Sequence, residues 1–134
     1  ASICSLSSIT NKNNQTFLAS GSDHGCCCLI LWETKTWTIF KRIQSHIAAV
    51  TSIVDLDDGE NLVTGSYDKK INLYNYERGQ VISSYSNKSA VTSIVITSDR
   101  KKLVSAGLDN SMQVWNICSR PNVNPNLFRD CLCR

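Results

Sequence analysis

Good helix formers are scarce in this sequence. Six alanines, three glutamates and one methionine stand against twelve isoleucines, nine valines and nine threonines. β-Branched side chains crowd a helical turn and pack well on a pleated strand, so this balance predicts an all-β chain. Charge is sparse too. Of 134 residues, 19% are charged and 42% hydrophobic, the composition of a folded domain and not of a disordered tail. No apolar run approaches the roughly 20 residues that a membrane-spanning helix needs. No segment shows the basic, apolar and small-residue order of a signal peptide. The expectation is an intracellular chain, cytoplasmic first and nuclear second, without membrane contact.

Histidine is limited to His24 and His46. No phosphate-binding glycine loop, metalloprotease helix or nucleophile elbow is present. An activated nucleophile beside a base is therefore not visible, and a non-enzyme is expected. The net charge is only +3. It is spread as +2 over residues 1–46, −2 over 47–88 and +3 over 89–134. A nucleic-acid binder needs a concentrated basic face, so nucleic acid is disfavoured.

Seven cysteines are present: Cys4, Cys26, Cys27, Cys28, Cys118, Cys131 and Cys133. The count is odd and three are adjacent, which argues against a small disulfide scaffold. The spaced pairs of a zinc site are absent, so reduced thiols are expected and no metal or other cofactor is assigned. The acidic run Asp55, Asp57, Asp58, Glu60 lacks the glutamate that a calcium loop carries at its twelfth position, where Ser66 stands. It reads as a hairpin turn.

Self-comparison gives the strongest signal. Val50-Thr51-Ser52-Ile53-Val54 recurs as Val91-Thr92-Ser93-Ile94-Val95, 41 residues later. LVTGSYDKKINLYNY at 62–76 aligns with LVSAGLDNSMQVWNI at 103–117 at the same offset. A third copy lies upstream, FLASGSDHGCCCLILWE at 17–33, with two extra residues in its turn and Ile3-Cys4-Ser5-Leu6 as its first strand. In the second copy, turn residues divide the chain into strands at 49–55, 61–65, 70–75 and 80–85. The third of these alternates, with Ile71 and Leu73 on one face and Lys70, Asn72 and Tyr74 on the other. The repeats run approximately over 1–46, 47–87 and 88–117, followed by an irregular tail at 118–134 that holds Pro121 and Pro125 and shows no fourth strand.

A period near 41, four strands per copy and an aromatic-plus-polar dipeptide closing the third strand resemble the WD-repeat β-propeller family. The dipeptide appears as Trp32-Glu33, Tyr74-Asn75 and Trp115-Asn116; no copy has the literal Trp-Asp. The family's Gly-His pair appears as Ser45-His46 and Ser86-Asn87. The resemblance covers residues 1–117 and implies three four-stranded antiparallel blades, the last incomplete.

The resemblance also implies roles. A His, a Ser or Thr, an Asp and a Trp form a hydrogen-bonded chain in each blade of the family. Here they map to His46, Thr64, Asp68 and Tyr74, and to Asn87, Ser105, Asp109 and Trp115. The first copy keeps Ser20 and Trp32, with His24 in the Asp slot. Asn87 cannot act as a base, so the slot shared by His46 and Asn87 reads as architectural and not catalytic. The family's usual partner-contact positions map to Ser2, Cys4 and Asp23, to Ala49, Thr51 and Tyr67, and to Ala90, Thr92 and Leu108. The set is small, neutral and partly apolar, which suits a peptide or protein partner, with Tyr67 as its anchor. A non-catalytic protein-interaction scaffold is expected. The alternative is a nucleic-acid or phosphoinositide reader using Arg100, Lys101, Lys102, Lys69 and Lys70. Propellers close with about four to eight blades. Three copies fall short, so a piece of a longer propeller is expected, with self-association as the other way to complete a ring.

Overall fold

The computed structural model describes residues 2–23, 28–116 and 130–131, of which Cys28, Asp130 and Cys131 by their backbone. It contains no helix among these residues. The first blade comprises β1 (Ile3–Thr10), β2 (Thr16–Ser22), β3 (Cys28–Glu33) and β4 (Thr38–Gln44). The second comprises β5 (Val50–Asp55), β6 (Asn61–Ser66), β7 (Lys70–Asn75) and β8 (Gln80–Ser86). The third comprises β9 (Val91–Ile96), β10 (Lys102–Gly107), β11 (Met112–Asn116) and β12 (Asp130–Cys131). Each is a four-stranded antiparallel meander in chain order. β12 comes from the tail read as irregular. Its two residues pair with Val114 and Trp115. The outer edge of β11 presents backbone donors and acceptors that a strand satisfies.

The blades stack in sequence. β1 lies beside β5, and β5 beside β9, so the first strands form the inner row. Two cores fill the gaps between blades. Ile9, Phe17, Ala19, Leu29, Leu31 and Ile43 of the first blade meet Val50, Ile53, Leu62, Tyr74 and Tyr76 of the second. Val63 and Ile71 of the second meet Val91, Ile94, Leu103 and Trp115 of the third. The middle blade is therefore buried on both faces. Alternation in β7 places Ile71 and Leu73 in one core and Tyr74 in the other. Strand alternation distinguishes the two faces but does not say that both are covered.

Polar contacts stitch the blades together. Ser5 Oγ donates to Val50 O (2.8 Å), and Thr51 Oγ1 to Val91 O (2.6 Å). At the β1–β2, β5–β6 and β9–β10 turns Lys12 pairs with Glu60, and Arg100 with Asp57 at 3.2 Å. Asn11 Nδ2 donates to Glu77 Oε1 (2.9 Å), and Lys41 Nζ to Tyr76 O (3.1 Å). Gly65 sits where a Cβ would lie 2.6 Å from Val91 and Ile94, so the close approach of blades requires glycine there.

Candidate partner-binding face

Antiparallel meanders put the start of each first strand and the turn after each second strand at one end of the blade. A repeated backbone bond locks these two segments. Asp23 N donates to Ser2 O (3.1 Å), Tyr67 N to Ala49 O (3.1 Å) and Leu108 N to Ala90 O (3.0 Å). Six of the nine contact positions are thereby brought together pairwise, one pair per blade. In the first blade Ser2 N also donates to Asp23 Oδ1 (2.6 Å). Tyr67 is 48% exposed and Leu108 61%. Cys4 is an exposed free thiol.

The remaining two positions are committed to the frame. Thr51 Oγ1 lies 3.1 Å from Gly65 O as well as 2.6 Å from Val91 O. Thr92 Oγ1 donates to Ala106 O (3.2 Å). Sequence reasoning missed Ile47, which is 91% exposed at the same end. Its backbone N donates to Asp68 Oδ2 (3.2 Å), so it is held beside the turn that carries Tyr67. The available signal was an apolar residue directly after His46, where the third repeat has Lys88 after Asn87.

Under this face lie the polar chains, and they differ between blades. In the second blade His46 Nδ1 donates to Asp68 Oδ2 (2.9 Å), and Thr64 Oγ1 donates to His46 Nε2 (2.8 Å). The carboxylate only accepts, which sets this tautomer. Asp68 also accepts from Lys70 N (2.9 Å). Burial of the imidazole is the largest influence and pushes its pKa below the ordinary value near 6.5, against the pull of Asp68. Tyr74 stands outside this chain. Its hydroxyl accepts from Asn72 Nδ2 (3.3 Å), and burial pushes its pKa up.

In the third blade Ser105 Oγ donates to Asn87 Oδ1 (3.0 Å) and accepts from Trp115 Nε1 (3.0 Å). Here Asp109 stands outside. It is exposed and accepts from Ser111 and from Ser89 Oγ (2.8 Å), and these hydroxyls, Ser111 first, hold its carboxyl below the usual range. An asparagine amide has no ring nitrogen to reach it. Asn87 Nδ2 turns instead to Ser89 O (3.0 Å). In the first blade Trp32 Nε1 donates to Ser20 Oγ (2.9 Å). His24 lies outside the described residues, as do Cys26 and Cys27.

The basic residues divide between the ends. Lys69 and Lys70 border the β6–β7 turn at the end that carries Tyr67. Arg100 and Lys101 sit in the β9–β10 turn at the other, and Lys102 opens β10 beside it. Arg100 is occupied by Asp57 and by Asp55 O (3.2 Å). The acidic turn is likewise self-bonded, with Asp58 Oδ1 accepting from Glu60 N (2.9 Å) and Asn61 N (2.7 Å). Among the described residues no group of three His, Cys, Asp or Glu has metal-binding geometry, and no helix is long and apolar enough to cross a membrane.

The family model "WD domain, G-beta repeat" matches residues 37–75 and 79–116, more than half of the chain. The chain belongs to the WD40 family. Its blades are also similar to a chain in the Chaetomium thermophilum polycomb repressive complex 2, with a TM-score of 0.77 at 13% identity over 90% of this chain. A chain of ctPRC2 in complex with H3K27me3 and H3K27M gives the same values. In both, this WD40 chain spans 27% of the neighbour's length, and at such identity the likeness is one of fold. No curated protein matches the chain.

Proposed function

We propose that this WD40 chain is a non-catalytic scaffold that presents Ile47, Tyr67 and Leu108 to a peptide or protein partner. WD40 propellers generally serve as protein-interaction scaffolds. The observation that carries the reading is three exposed apolar side chains at one end of a frame locked by the same backbone bond in every blade. A rigid frame lowers the ordering cost of binding, and an aromatic anchor supplies most of the contact energy. Ser2, Asp23, Ala49 and Ala90 shape the surface around that anchor, while Thr51 and Thr92 support it from below. The repeat divisions 1–46, 47–87 and 88–117 are read as one blade each. The outer face of each terminal blade is read as a seat for a further blade, in a longer chain or in a second copy. A phosphate reader is disfavoured because its basic residues point to opposite ends.

Selection of peptides from a random display library against the chain tests the scaffold reading. A selected peptide should bind the Tyr67→Ala variant about tenfold more weakly, as an aromatic hot spot requires. Equal affinity for wild type, Tyr67→Ala and Ile47→Ser would overturn it.

A further inference from the structure

The end that carries Tyr67 has two rows of residues, and backbone bonds define them. Tyr67 N is tied to Ala49 O and Leu108 N to Ala90 O, just before the innermost strands β5 and β9, so these two residues form the inner row. Lys69 O, two residues after Tyr67, accepts instead from Asn87 N (2.7 Å), just after the outermost strand β8. Lys70 pairs with Ser86 at the end of β8. Lys88 N donates to Gln113 Oε1 (3.1 Å) on β11. Lys69, Lys70 and Lys88 are all exposed and form an outer, basic row that leads from the second blade to the third. Ile47 holds in the first linker the place that Lys88 has in the second, and ends this row on the first-blade side. Lys70 acts electrostatically on His46, the residue before Ile47.

The chain does not consume the charge of this row. The carboxylates at the same end have other partners. Asp23 Oδ1 accepts from Ser2 N, Asp68 is enclosed with His46, and Asp109 Oδ1 accepts from Ser89 Oγ and Ser111 N. Among the described residues none of the three lysines forms an ion pair, whereas at the opposite end Lys12 pairs with Glu60 and Arg100 with Asp57. An extended peptide sends alternate side chains to opposite sides. Laid between the rows, it turns one set toward Tyr67 and Leu108 and the other toward the lysines. On the reading that this face takes a peptide, we infer that its partner is an extended acidic segment in which apolar residues alternate with Asp or Glu. Three single ammonium groups strung along a row suit separate carboxylates, whereas a phosphate favours clustered donors such as an arginine fork. Each exposed pair adds little affinity, so the lysines govern which peptide is chosen and how fast it docks.

Display libraries of short peptides, in which apolar residues alternate with Asp/Glu, with Ser/Thr or with Lys/Arg, test this against the full chain. The acidic library should enrich, and its binders should weaken as salt is added. Lys69→Glu combined with Lys88→Glu should weaken them about tenfold, and Lys101→Glu combined with Lys102→Glu, at the opposite end, far less. All four side chains are exposed, so both variants should keep the wild-type melting midpoint. Equal enrichment of the Ser/Thr library, salt-independent binding, or tighter capture of a tyrosine-phosphorylated peptide or of single-stranded DNA overturns the inference. So does a failure of all three alternating libraries. If a random library still yields binders that depend on Tyr67, the scaffold reading survives that failure; if it yields none, both fall.

Discussion

The second and third blades share a strand plan, a backbone lock and a residue spacing, yet they secure their interiors differently. The second buries a charged carboxylate behind a histidine and leaves its aromatic hydroxyl on a long 3.3 Å contact. The third ties an asparagine, a serine and an indole together and leaves its carboxylate in water. One substitution accounts for much of the difference. A histidine ring has nitrogens on opposite sides and can link Asp68 to Thr64. An asparagine in that slot reaches Ser105 with its oxygen and has only its amide left, which a nearby carbonyl takes. A repeat can therefore conserve shape while moving the charge from interior to surface.

Paired substitutions at aligned positions sharpen this comparison. The largest effects belong to what the blades share. Leu62→Ala and Leu103→Ala each remove a fully buried side chain from an interblade core, and each should cost about 3 kcal/mol in urea unfolding. A loss below about 1 kcal/mol at either site would mean that its core is not packed as described. Next comes the pair that differs. Asp68→Ala leaves His46 and two backbone amides without their acceptor and should cost about 3 kcal/mol. Asp109→Ala should move the melting midpoint far less. Equal shifts would erase the distinction between blades.

The third test is pH. His46 titrates below its ordinary value in the folded chain, so the unfolded chain binds its proton first. Its contribution is fully present above about pH 6.5 and is lost as pH falls from there toward the lowered folded value. Urea midpoints from pH 8 to pH 5 should decline in wild type and flatten in His46→Asn, which copies the third blade. Parallel profiles would show that His46 does not titrate this way. The smallest effect separates the aromatics. Trp115→Phe removes a 3.0 Å bond inside a buried chain and should cost about 1 kcal/mol; Tyr74→Phe removes the long 3.3 Å contact and should cost less.

Much of the frame was legible because it repeats. The reading of strands at 49–55, 61–65, 70–75 and 80–85 sits within a residue of β5 to β8. Spacing and period two are local properties of the chain, and three copies average out their noise. The polar chains were less legible. Asp68 and Asp109 occupy the same column, but one is enclosed and the other solvated, because the residue opposite decides whether a carboxylate is drawn inward. Ile47 was missed because an apolar letter in a linker does not announce exposure.

By itself the sequence determined strand order, the 41-residue blade and the residues that line each turn, since these follow from side-chain alternation and turn chemistry along the chain. Only the tertiary structure decided which faces are covered, which hydroxyls are used between blades and where Tyr74 and Asp109 direct their bonds. Those depend on what stands across a gap, and an interface is a property of two surfaces, not of one strand.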